Sequence, residues 1–180
     1  MAQWNIDTTH SSADFTVRHM MVTNVRGSFS NMDGVINFDP ANPAASSVDV
    51  TIDVNSINTG VNDRDNHLRS GDFFDIATYP NITFKSTNVE VTGDDSAKVT
   101  GDLTIRDVTK TVVLDVDFLG QGGSPFGDTR AGFEATTKID REAFGLTWNQ
   151  ALEAGGVLVG KDIKIVLDVQ GVLVTETTNA

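Results

Sequence analysis

The chain has 180 residues, with 13 Lys and Arg against 25 Asp and Glu, giving a formal net charge of −12 and a pI of about 4.4. Such a surface repels nucleic-acid backbones and disfavours docking on anionic lipid, and the lack of cysteine excludes disulfides, thiolate nucleophiles and Cys-based metal sites. The length suits one domain spanning residues 1–180, and no apolar run reaches a membrane span, so stable membrane insertion is not expected.

The N-terminal stretch MAQWNIDTTHSS has neither a basic n-region nor an apolar h-region. As written it predicts a cytoplasmic protein, with export as the alternative if the chain is a processed mature form. Period-2 alternation then begins. Ala13, Phe15, Val17 and His19 share one face, opposite Ser12, Asp14, Thr16 and Arg18. Less regular strands are predicted at 24–30 and 33–39, and MDGV between them reads as a tight hairpin. In SSVDVTIDV, Val48, Val50, Ile52 and Val54 face one way.

HLRSGDFFDIATYP, residues 67–80, interrupts this pattern. A short helix is predicted from Asn62 or Asp63 to Ser70, with an Asx cap and Gly71 as its stop. A capped turn from Asp72 follows, so a helix and turn insertion is centred on 63–75 and carries Leu68, Phe73 and Phe74. Tyr79 precedes Pro80 and is pushed to extended geometry, which starts a strand at 82–92 containing Phe84.

The remaining strands are regular. AKVTGDLTIR places Val99, Gly101, Leu103 and Ile105 on one face, and KTVVLDVDF does the same with Val112, Leu114, Val116 and Phe118. TRAGFEATTKID aligns Ala131, Phe133, Ala135 and Ile139. A turn or short helix is predicted over DREAFGL, 140–146, which includes Phe144 and leads to Trp148. ALEAGG at 151–156 reads as a loop, and DIKIVLDVQGV as a last strand with Ile163, Ile165, Leu167 and Val169 inward. Twenty Asp against five Glu fits a turn-rich β protein, because Asp favours turns and caps over helix interiors.

Eight or so long strands, each with one apolar and one polar face, describe an antiparallel sheet wet on one side. Such a sheet must pack on a second sheet or close on itself, and closure removes its edges. The expected class is all-β and antiparallel, as two packed sheets or a closed barrel; an eight-stranded barrel encloses either a filled core or one small ligand.

Catalytic templates fail. His10, His19 and His67 form no metal-binding pair, and there is no HExxH, P-loop, GxGxxG or Gly-x-Ser-x-Gly elbow. Asp63 and Asp65 resemble half a calcium loop but lack its Gly and closing Glu, and read as a solvated helix cap. No catalytic residue, metal or cofactor is therefore expected. His19 has two readings: a satisfied core-edge histidine, or a hydrogen-bond partner for a ligand head. In nearly every well-defined strand Lys and Arg lie on the face opposite the apolar residues, so the interior is expected to be neutral. Arg69, Arg141, His67 and His19 are the rim candidates for a ligand head.

Several segments together resemble the YceI-like family. They are WNIDTTHSSADFTVRHMMVTNVRGSF, with His10, Ser11, Phe15, Val17 and His19 in place; HLRSGDFFDIATYPNITFKS; DLTIRDVTKTVVLDV; and DREAFGLTWN. The resemblance covers residues 4–173. It implies a lipocalin-like eight-stranded barrel that binds polyisoprenoids, including isoprenoid quinones or prenyl phosphates, in an apolar tunnel. It carries over no catalytic residue. On that footing the chain is expected to be a non-catalytic carrier or sequestering protein for a long isoprenoid lipid, its only bound group. Phe15, Val17, His19, Val50, Ile52, Leu68, Phe73, Phe74 and Phe84 would line the cavity, joined by Leu103, Leu114, Val116, Phe118, Phe133, Phe144, Trp148, Ile165 and Leu167. An enzyme acting on a small apolar substrate, or a filled-core structural or stress-related module, are the alternatives. A homodimer through an outer face stays open, with no patch to name.

Overall fold

Strands form wherever β-branched and apolar residues alternate with polar ones, and the ladders between them leave no open edge along the body of the sheet. A computed structural model describes residues 1–153 and 155–175. Its strands are β1 (Ala2–Ile6), β2 (Ser12–His19), β3 (Thr23–Phe29), β4 (Met32–Phe38), β5 (Ser47–Asp53) and β6 (Ile57–Asn58). After helix α1 (Asn62–Arg69) come β7 (Asn81–Gly93), β8 (Ser96–Ile105), β9 (Val108–Gly123), β10 (Thr129–Asp140) and β11 (Val159–Leu173). All pairings are antiparallel.

Register shows that three of the long strands are broken. β1 and β2 both run along β11, pairing Trp4 with Leu173 and Phe15 with Ile165. β3 and β4 together run along that composite strand, and β5 and β6 run along β4 and β3. Three composite strands and β7 to β11 make eight, and β1 on β11 closes the ring. The fold is an eight-stranded antiparallel closed barrel with one short helix.

The first break is held by Asp7. Its carboxylate accepts from Thr9 N (2.9 Å) and Oγ1 (2.7 Å), pairs with His10 Nδ1 (2.9 Å) and receives Arg130 Nη1 from β10 (2.7 Å). These contacts, the Thr9 hydroxyl foremost and His10 next, hold its carboxyl well below the usual carboxylate range. A depressed acid stabilises the fold fully above its unfolded value of about 3.9 and loses that contribution as pH falls through the folded value. Asp7→Asn is expected to cost about 1.5–3 kcal/mol at pH 7, the scale of hydrogen bonds to a charged group. The gap from wild type should narrow progressively as pH falls below about 4, so it should be smaller at pH 2 than at pH 7 by urea denaturation.

Three local expectations need correction. MDGV is not a hairpin: β3 and β4 do not pair with each other, and Gly34 lies inside β4 opposite Val50. A Cβ there would meet Asp49 O at 2.1 Å, so the glycine admits a close strand approach. The real hairpin is one step earlier, where Val22 N donates to His19 O and Met20 and Met21 take positive φ (51° and 62°). Helix α1 has no Asx cap: Val61 precedes it without a side-chain bond, and Asp65 instead turns back to accept from Thr59 N and Oγ1. Its stop is Ser70, whose N–H and hydroxyl both reach His67 O, rather than a left-handed Gly71.

The other differences are of extent. DREAFGL forms a 3-10 turn over Arg141–Phe144, ended by Gly145 at φ 82°. β1 is a strand that the opening residues did not announce, and β9 runs on through Gly120 to Gly123, beyond the alternating stretch KTVVLDVDF. In the ALEAGG loop, Ala151 bridges Val157, and Ala154 lies outside the described residues.

Candidate functional site

Because strand residues alternate, half of every strand points into the barrel. Those side chains enclose a hollow of about 300 Å³, bounded almost wholly by carbon. The inward residues are not uniformly sealed. Phe15, Val50, Ile52, Phe118, Phe133 and Ile165 stay partly accessible, although the space they face is the lumen. A barrel filled by its own side chains would leave them no such surface.

The hollow has two unlike ends. Its mouth lies between the β4–β5 loop (Pro40, Pro43, Ser46) and the β7–β8 hairpin (Gly93, Asp94, Asp95, Ser96). Asp94 and Asp95 are exposed there, and the buried Ser46 hydroxyl has no partner among the described residues. Below the mouth Phe38, Phe118 and Phe133 form an aromatic neck, with ring centroids 5.0–5.5 Å apart. The far end is closed by α1 and the turns after it. Leu68, Phe73 and Phe74 fill this end, and Phe74 meets Phe29 edge-on at 5.9 Å. Arg69 ties the helix to the wall through Nη2, which donates to Asn55 O and Ile57 O.

Most of the predicted residues meet in this one wall. Phe15, Val17, Val50, Ile52 and Phe84 line it, as do Leu103, Leu114, Val116, Phe118 and Phe133, with Leu68, Phe73, Phe74, Ile165 and Leu167. Three do not. His19 is the last residue of β2, paired with Thr23 of β3 and Val159 of β11 beside the β2–β3 hairpin, and it does not line the hollow. Phe144 is buried on the 3-10 turn in the same core cluster as much of the wall, without itself lining the hollow. Trp148 lies outside the wall, edge-on to His67 (4.7 Å) and against Phe73 (5.4 Å), bracing the end cap from behind. His67 is also outside, paired with Asp72 at 2.9 Å.

The neutral interior also needs correction. Arg141 is 3% exposed and forms part of the wall at the closed end. Nε donates to Gly160 O (2.8 Å), Nη1 to Leu146 O (2.6 Å) and Trp148 O (3.0 Å), and Nη2 to Val159 O (3.1 Å). No carboxylate pairs with it among the described residues, and burial pushes the guanidinium pKa down. Alternation could not reveal this, because Arg141 lies just past the end of β10. The pattern also passed over Ile6, Phe29, Ile36 and Phe38, which line the hollow from the broken strands. A glycine shapes it too: a Cβ on Gly101 would lie 2.4 Å from Phe84 Cζ, so the ring rests on bare β8 backbone.

Among the described residues no group of three or more His, Asp or Glu is placed to hold a metal ion, and no helix is long and apolar enough to cross a membrane. The chain matches the YceI-like domain over residues 4–171. It is 38% identical over 173 residues to Protein YceI of Salmonella newport, covering 95% of this chain and 87% of that protein. The crystal structure of Burkholderia cenocepacia BcnA superposes with a TM-score of 0.81 at 27% identity, covering 92% of this chain and 98% of that one. A polyisoprenoid binding domain from Saccharophagus degradans, implicated in plant cell wall breakdown, has the same fold, with a TM-score of 0.70 at 18% identity and coverage of 95% and 98%.

Proposed function

The chain belongs to the YceI-like family, and from that premise we propose that it binds a long isoprenoid lipid, a polyprenyl chain or isoprenoid quinone, inside the barrel and carries or sequesters it without chemistry. The observation that supports this most is the hollow itself, apolar along most of its length, with inward side chains that no other described part of the chain covers. The polyisoprenoid-binding protein of Saccharophagus degradans offers a barrel of the same architecture.

The driving force is removal of apolar surface from water. At about 0.8 kcal/mol per buried CH₂, each five-carbon unit contributes roughly 4 kcal/mol gross, before the costs of ordering and association. An apolar cavity of about 150 Å³ holds one benzene ring. On that scale the enclosed space takes about a dozen carbons, two to three isoprene units, and a longer chain continues into the mouth.

Native mass spectrometry of protein purified without organic extraction is the direct test. The expected result is a bound mass in the prenyl-lipid range, or uptake of an added geranylgeranyl lipid at one per chain. Protein that emerges empty and takes up no prenyl lipid offered would overturn the proposal.

A further inference from the structure

An apolar hollow has no use for a buried cation unless the cation holds the protein together, meets something polar in the ligand, or does both. Arg141 holds four backbone carbonyls, on residues 146, 148, 159 and 160, and so fastens the β10–β11 connection over the closed end. Carbonyl dipoles solvate a guanidinium, but they do not neutralise it. An unpaired buried charge is among the costliest features a fold can carry. A guanidinium has five N–H donors; four are used, which leaves one on Nη2. Its sequence neighbours Asp140 and Glu142 are exposed; they favour its charge through space, but neither forms a salt bridge with it. The opposite end of the hollow has the reverse character, with Asp94 and Asp95 at the rim. A head group rich in oxygen acceptors is therefore repelled at the mouth and attracted at the closed end.

We propose that Arg141 receives the polar head of the ligand, an oxygen acceptor such as a carbonyl or a carboxylate, with the apolar tail running past the aromatic neck to the mouth. This placement rests on the binding of an apolar chain argued above. Arg141 is one of the four residues expected to meet a ligand head at a rim, but it lies buried at the closed end instead. Leu146 and Val159, whose carbonyls Arg141 binds, line the hollow beside it, so the head would be framed by their side chains while the remaining N–H donates to it. Ser46, with its free hydroxyl at the mouth, then meets only the tail or water.

Three probes with the same four-unit prenyl chain test this: geranylgeranoic acid, a benzoquinone bearing a geranylgeranyl tail, and the corresponding headless hydrocarbon. At least one headed probe is expected to bind wild-type protein about tenfold more tightly than the hydrocarbon. A gain for the acid alone identifies an anionic head, and a gain for the quinone alone a neutral carbonyl. Arg141→Met should erase the gain and keep hydrocarbon uptake, and Arg141→Lys, which retains the charge, should keep most of the gain. If Arg141→Met does not fold, orientation in the wild type decides. With ¹³C-labelled terminal methyls on the tail, NOEs to Ala97 at the mouth are expected. NOEs from those methyls to Leu146, or equal binding of all three probes, would overturn the head placement. Failure of every probe, the hydrocarbon included, would instead strike at lipid binding itself.

Discussion

Ala135→Trp is expected to reduce uptake of a geranylgeranyl lipid at least tenfold, about 1.4 kcal/mol in binding, while the barrel stays folded. Ala135 sits on β10 between Val116 of β9 and Leu167 of β11, and all three face the hollow. It is 5% exposed, and its small size leaves the middle of the lumen open. An indole there would occupy the space the chain needs. Inserting atoms into a packed core costs about 1–3 kcal/mol, but here the lumen accepts part of the added volume, so the stability loss should fall at the low end. Thr136→Trp, one residue along and on the outer face, is the control and should keep uptake. Titration followed by native mass spectrometry reads binding, and urea denaturation reads the fold. Undiminished uptake by Ala135→Trp would mean that the ligand does not pass through the lumen.

Leu114→Asp should have the largest effect on stability. Leu114 is 8% exposed on β9, opposite Val99 of β8, in the apolar wall. A carboxylate there has no nearby donor, and a buried uncompensated charge costs about 3–5 kcal/mol. Burial raises the folded pKa of such an acid above its unfolded value of about 3.9. The cost is therefore present at pH values above the folded pKa and fades as pH falls toward and below the unfolded one. The gap between variant and wild type should be widest at pH 7 and narrow at pH 4. Uptake at pH 7 should be lost. A variant equally stable at both pH values relative to wild type would show that position 114 is wetted, and the wall would then not be the dry surface that lipid binding needs.

The two substitutions separate occupancy from polarity. The first keeps the wall apolar and removes room; the second keeps room and removes apolarity. A carrier for an apolar chain should fail on both counts. A filled-core module would suffer mainly from the second, since a solid interior has no uptake to lose.

Alternation made much of the site legible. In β8, β9 and β10 the apolar inward residues could be read from their neighbours, because a strand that is buried on one side repeats every two residues, whereas the polar Thr137 of β10 was passed over. Leu103, Leu114, Val116 and Phe133 were found this way. The method failed wherever the two-residue repeat was interrupted. His19 ends β2 at a hairpin, Phe144 lies on a 3-10 turn and Trp148 after it, and Gly34 looked like a turn signal because glycine serves both turns and close strand contacts equally well.

What the amino-acid order determined alone was which faces are apolar, where the helical insertion interrupts the strands, and, through the resemblance, the kind of barrel to expect. Local sterics and side-chain polarity act over a few residues, so they can be read a few residues at a time. Closure of the ring by β1 on β11, the joining of short segments into long strands, the volume left inside and the burial of Arg141 were decided only by tertiary structure. Ring closure depends on groups more than a hundred residues apart, the hollow on the space between facing walls, and the burial of Arg141 on a connection that folds back over it, and no local pattern records how far apart two walls will stand.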